Sequence, residues 1–113
     1  MKRGEIWTAS GGPDYAGKPR PVLIIQDDQF DATGSITICP LTTYDAGTKY
    51  ARAPVAPDAV NGLRQPSMAM TDKIATLPRT RLGKRLGTLK PTAMAPINRA
   101  ILVFLGLAGS ARG

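Results

Sequence analysis

An α+β fold, a small curled or barrel-like sheet with one helix packed against it, is the architecture that this sequence predicts. Three observations lead there. Several short β-branched runs are punctuated by Gly, Pro and Asp. After about Thr92 the apolar residues recur every three or four positions. The 113 residues contain no internal repeat, which is the length of one domain, 1–113, with one modest core.

Glu5-Ile6-Trp7-Thr8 reads as a strand that runs into the loop beginning Ser10-Gly11-Gly12-Pro13. Val22-Leu23-Ile24-Ile25 is an apolar run bounded by turn residues, the signature of a strand buried on both faces. Pro19 and Pro21 fit only its beginning, because a proline donates nothing to a ladder and restricts the residue before it. Arg20 is thereby held at a stiffened strand mouth. Asp27 to Gly34 is a connecting loop, Ser35 to Leu41 the next strand, and Thr42 and Thr43 sit at its exit. Arg52 to Pro57 carries two prolines, so it supports at most an edge strand, and Asn61-Gly62 marks a tight turn. Ser67 to Leu77 looks extended, and Arg85 to Leu89 suits one more short strand, making five or six in all. Met94, Ile97, Ile101, Phe104 and Leu105 share one face of a terminal helix starting near Thr92 or Ala95. The run Ile101 to Leu105 is far shorter than the ~20 residues that cross a bilayer and is expected in the core.

The formal net charge of +7 is unevenly placed. Residues 1–62 hold six Lys or Arg against seven acids, whereas 63–113 hold nine against Asp72 alone. Arg79, Arg81, Lys84, Arg85 and Lys90 follow one another with no carboxylate between them, which suits either phosphate neutralisation or a solvated face that maintains solubility. One cysteine, Cys39, and no histidine leave neither an internal disulfide nor a Cys/His zinc cluster. A reducing, cytoplasmic setting is the consistent expectation, since Gly4-Glu5-Ile6-Trp7 rather than an apolar stretch follows Lys2-Arg3, so no signal peptide is expected.

Without histidine, any acid-base chemistry must use Arg, Thr, Asp, Tyr or Lys. Asp27, Asp28 and Asp31 are the only acidic cluster, and oxygens of this kind bind magnesium. They are also what a loop after a strand uses for side-chain to backbone hydrogen bonds, and that reading is preferred, so no metal or other cofactor is expected.

At Lys18-Pro19-Arg20-Pro21-Val22 the chain resembles the MazF/PemK family of endoribonuclease toxins, the mRNA interferases of type II toxin-antitoxin systems. The resemblance extends through Lys2-Arg3-Gly4-Glu5-Ile6-Trp7, Cys39-Pro40-Leu41-Thr42-Thr43, the stretch Ser67 to Thr76 and the ending Phe104-Leu105-Gly106-Leu107. It implies a CcdB/PemK-like, SH3-like barrel of five to seven mostly antiparallel strands with a C-terminal helix. It also implies metal-independent cleavage of single-stranded RNA, with the 2′-OH attacking the adjacent phosphate to give a 2′,3′-cyclic phosphate. By position Arg20 matches the family's catalytic arginine and Thr42 its catalytic threonine. Asp72 stands where some plasmid-borne relatives have a catalytic aspartate, and it is either the general base or a salt-bridge partner. Lys18, Pro21, Thr43, Arg64, Ser67, Lys73, Arg79 and Arg81 are the candidate RNA contacts, with Tyr15 or Trp7 offering a stacking face, although Trp7 suits the core better. The chain departs from many relatives in having Ala75, and from some plasmid-borne ones in having Met70, where they have arginine; the acidic residue of the first loop is represented by Asp14. The resemblance further implies a homodimer and an acidic antitoxin whose disordered tail covers the RNA groove.

Two other classes compete. A CcdB-like toxin that binds gyrase shares the architecture, but its aromatic C-terminal tail has no counterpart in Gly109-Ser110-Ala111-Arg112-Gly113. A non-catalytic RNA-binding module accounts for the basic second half but not for the setting of Arg20 and Thr42.

Overall fold

The computed structural model describes residues 1–10, 18–43 and 52–109. Seven strands precede one helix: β1 (Glu5–Ala9), β2 (Arg20–Ile24), β3 (Ser35–Thr43), β4 (Ala53–Val55), β5 (Ser67–Ala69), β6 (Ala75–Pro78), β7 (Leu82–Thr88) and α1 (Pro91–Phe104). All paired strands are antiparallel. The sheet runs β4-β5-β3-β2-β1-β7 with β6 paired to β3, so it curls without closing. The two-proline segment is an edge strand, as its lost donors require.

The apolar run of β2 forms the centre: Val22, Leu23 and Ile24 are wholly buried, and alternation sends them to two cores. Leu23 joins Ile6, Cys39, Leu41, Met94 and Ile97 beneath the helix, while Val22 and Ile24 join Ala9, Ile36, Ile38, Leu77 and Leu82 on the opposite face. Each Val, Leu, Ile or Met among them contributes ~1.5–3 kcal/mol of apolar transfer. Trp7 is half-buried against the second core, with its indole N–H on Glu5.

Three details differ from the sequence expectation. β3 reaches Thr43, so both threonines lie within a strand. The reason is the other edge of β3: β2 pairs with it only as far as Val22↔Pro40, but β5, on the side opposite β2, carries the ladder on from Leu41 to Thr43. The stretch 67–77 is broken in two by a 3-10 turn at Thr71–Lys73, and its halves pair with successive parts of β3. The helix begins at Pro91, where a missing N–H costs nothing, and buries only Met94 and Ile97 fully. The expectation that Ile101 to Leu105 lies in the core is therefore corrected in part: Ile101 packs against it, but Leu102, Val103, Phe104 and Leu105 are exposed, since five consecutive residues of a helix cannot all face one surface. No helix among the described residues is long and apolar enough to cross a membrane.

Candidate active site

The β2–β3 ladder directs Arg20 and Thr42 to the same end of the sheet. Its last pair is Val22↔Pro40. Two residues further along each strand stand Arg20 and Thr42, opposite one another if the same register continues. Side chains two apart share a face, so Arg20 follows Val22 and Thr42 follows Pro40 onto one side of the sheet. Pro40 marks the point where the strands part. Its carbonyl accepts from the N–H of Met70 at 2.8 Å, so its backbone faces the edge of β3 opposite β2. The result is an open fork at the sheet's end with a guanidinium on one prong and a hydroxyl on the other. Arg20 is exposed, and among the described residues neither it nor the Thr42 hydroxyl has a hydrogen-bond or ion-pair partner.

The intervening positions face the other way. Pro21 and Thr43 line a cavity of ≈ 340 Å³ together with Gly62, Leu63, Arg64, Gln65, Ser67 and Leu86. Its outer wall is the turn at Asn61-Gly62. Asn61 is buried, accepts from the N–H groups of Asp58 and Leu63 and donates to the carbonyl of Ala56. Gly62 has φ +75°, and a Cβ there would stand 2.2 Å from the Leu86 carbonyl oxygen, so only glycine permits the turn to lie on β7. The hydroxyl of Ser67 donates to the carbonyl of Gln65 at 3.0 Å, and Arg64 is exposed. The candidate RNA-binding residues thus divide between the two sides of one strand fork.

The remaining candidates scatter. Lys18 is exposed two residues before Arg20. Arg81 lies at the same end of β1, where its carbonyl accepts from Ser10 and Ala9 pairs with both Arg20 and Leu82. Arg79 is elsewhere: its N–H bonds Gly34 at the opposite end of β3, about 25 Å from Thr42 at ~3.3 Å per residue. Its guanidinium donates to the carbonyl of Thr33 and lies 3.6 Å from Asp31. Lys73 is exposed at the end of the 3-10 turn, apart from the cavity lining. Asp14 and Tyr15 lie outside the described residues.

Of the two sequence readings of Asp72, the structure has the salt-bridge partner, with Arg52 as the residue that the sequence did not single out. Arg52, immediately before β4, donates to Asp72 through Nε at 2.8 Å and a terminal nitrogen at 3.1 Å, one bond to each carboxylate oxygen. Both side chains are 8% exposed. The Arg52 hydrogen bonds hold the Asp72 carboxyl below the usual carboxylate range, against the effect of burial. Beside the pair, burial pushes the Cys39 thiol up to about 12, with the Asp72 charge adding to the rise, so Cys39 is no nucleophile. The acidic loop is likewise occupied: Asp27 caps the N–H of Gln29, Asp28 accepts from the N–H of Arg3, and Asp31 lies 3.6 Å from both Lys2 and Arg79.

A curled antiparallel sheet backed by one helix, with an unpaired guanidinium and a hydroxyl on a splayed strand fork, defines a small domain equipped to grip an anionic ligand at the sheet's end. Residues 2–105 match the family model described as PemK-like, MazF-like toxin of type II toxin-antitoxin system. A probable endoribonuclease MazF of Mycolicibacterium smegmatis is 50% identical over 109 residues, 96% of this chain and 100% of the relative. Among solved structures, the Mycobacterium tuberculosis toxin MazF-mt6 superposes with a TM-score of 0.75 at 33% identity, over 91% of this chain and 97% of that one. A mycobacterial endoribonuclease in complex with its cognate antitoxin gives 0.79 at 26% identity, over 97% and 99%. The chain belongs to the PemK-like, MazF-like toxin family.

Proposed function

We propose that this chain is an endoribonuclease that cleaves single-stranded RNA at the Arg20–Thr42 fork and that a cognate antitoxin neutralises it. The observation that carries this reading is the position of the two side chains: on one face, on adjacent strand ends, and without partners among the described residues. The 2′-oxygen bonds to phosphorus while the bond to the 5′-oxygen breaks; the 2′-OH loses a proton and the leaving oxygen gains one. Arg20, always charged, presents several donors to the oxygens of the pentavalent phosphorus, where added charge accumulates. Thr42 orients the 2′-OH or donates to a phosphoryl oxygen. Asp72, with both oxygens on Arg52, is assigned no proton transfer.

Lys18, Arg64 and Arg81 surround the fork as phosphate-binding cations, and Pro21, Thr43 and Ser67 offer a flank for the strand leaving it. Arg79, whose guanidinium is committed to Asp31 and Thr33, is excluded from the RNA path, and Lys73 is peripheral. The exposed apolar end of α1 supports a homodimer, since contiguous apolar side chains on a small protein mark an interaction surface. The relative solved with its antitoxin supports a partner of that kind here, acting in the cytoplasm on a basic site that an acidic segment complements. The test is cleavage of a defined single-stranded RNA in excess chelator. Wild type is expected to cut it and to spare DNA of the same sequence, and Arg20→Ala to lose at least ~100-fold in rate. An Arg20→Ala protein of unchanged activity overturns the assignment.

A further inference from the structure

We propose that the buried Arg52–Asp72 pair is a positioning device for Thr42, acting through β5. This inference rests on the ribonuclease reading above and makes the pair, rather than Asp72 alone, the functional unit. Thr42 is held in register by Met68 of β5, its cross-strand partner. β5 has three residues, and so does β4 on its other side, so this part of the sheet has few ladder bonds of its own. The ion pair connects the two ends that matter. Arg52 directly precedes Ala53, the partner of Ala69, while Asp72 lies three residues beyond Ala69 in the 3-10 turn. Between them, Met70 donates to the Pro40 carbonyl, two residues before Thr42. The path from guanidinium to hydroxyl is therefore Arg52, Asp72, Met70, Pro40 and Thr42, every link a hydrogen bond or a short covalent stretch.

Geometry separates this role from that of a base. A general base needs an oxygen that the substrate can reach, and a carboxylate held by a cation is a weaker base. The two Asp72 oxygens are each taken by a nitrogen of Arg52, and the carboxylate is nearly buried. Asp72 also lies on the core side of β3, next to Cys39, whereas Thr42 belongs to the other face. A planar, two-pronged guanidinium fixes the distance and the plane of a carboxylate, which a single ammonium does not do.

The test compares steady-state cleavage of a defined RNA by the full chain and four variants, each with its melting temperature. Asp72→Asn and Arg52→Gln are expected to lower kcat by similar factors, at least ~10-fold, with KM within about twofold, because the binding cations stay in place. The double variant Arg52→Met/Asp72→Leu is expected to lose no more than Asp72→Asn, since an apolar pair leaves no orphaned charge. Arg52→Lys keeps a cation and so protects folding; its kcat is expected to fall ~3–10-fold because the two-pronged grip is gone. Single losses that multiply in the double variant, or Arg52→Gln and Arg52→Lys at wild-type kcat beside an Asp72→Asn loss of ~100-fold or more, overturn the proposal and make Asp72 a base. Wild-type protein that leaves RNA intact refutes the ribonuclease reading instead, before any variant is compared.

Discussion

The two ends of the β2–β3 pair both carry cations and use them in opposite ways. At one end Lys2 and Arg79 share Asp31, Arg3 bonds the carbonyl of Ile25 and the side chain of Asn98, and Asp28 takes the N–H of Arg3. At the other, Lys18 and Arg20 are exposed, and among the described residues neither is paired with a carboxylate. The first arrangement consumes its electrostatics in holding the N-terminus, the β2–β3 loop and the helix together. The second leaves its cations hydrated and available to a ligand.

That contrast is most directly broken at Arg20. Arg20→Ala is expected to reduce RNA cleavage at least ~100-fold while leaving the melting temperature within about 2 °C, as for a surface side chain without partners. Thr42→Val is expected to lose ~10–100-fold and Thr42→Ser to retain most activity, measured as single-turnover rates. At the paired end, Arg79→Met reverses the pattern: cleavage within twofold of wild type, but a stability loss of about 1 kcal/mol in urea unfolding, modest because Asp31 is well exposed and solvent screens the pair. Arg64→Ala, in the cavity lining, is expected to weaken RNA binding a few-fold and to reduce the steepness of the salt dependence by roughly 0.7 for each phosphate that Arg64 neutralises.

The smallest effect is a pH dependence. Asp72, stabilised as an anion by Arg52, has its folded pKa below the unfolded one. Its stabilising contribution is therefore complete above the unfolded pKa of about 3.9 and is lost as pH falls through the folded value. Acid unfolding of Asp72→Asn, followed by circular dichroism below about pH 4, is expected to show a shallower decline than that of wild type. An identical acid limb would mean that the pair contributes nothing to the native state's proton uptake.

How much of this was legible from sequence follows from the range of the interactions. The centre of the sheet was: Val22 to Ile24 can only be a doubly buried strand, and Pro19 and Pro21 locate its mouth, so Arg20 was placed correctly at the strand's start. The asparagine-glycine turn was equally visible, because Gly62 adopts a backbone conformation that the dipeptide favours. What depended on distant partners was not. Thr42 and Thr43 read as a strand exit because nothing local announces that β5, about 25 residues away, extends the ladder on the edge of β3 opposite β2. Arg79 belonged to an unbroken basic run, yet Asp31 neutralises it from 48 positions earlier. Arg52 has no local signature, since its partner Asp72 lies 20 residues on. The apolar helix end was misplaced for a different reason: five consecutive residues of a helix cannot all face one surface, and of these only Ile101 packs against the core.

The most direct test of the central claim uses one RNA in two forms, cut in excess chelator, identical except that the second lacks the 2′-OH at the mapped scissile nucleotide. Cleavage of the first to a fragment ending in a 2′,3′-cyclic phosphate, with the second left whole, is the predicted result. Equal cleavage of both would show that the neighbouring hydroxyl is not the attacking group, and the fork formed by Arg20 and Thr42 would have no such reaction to perform.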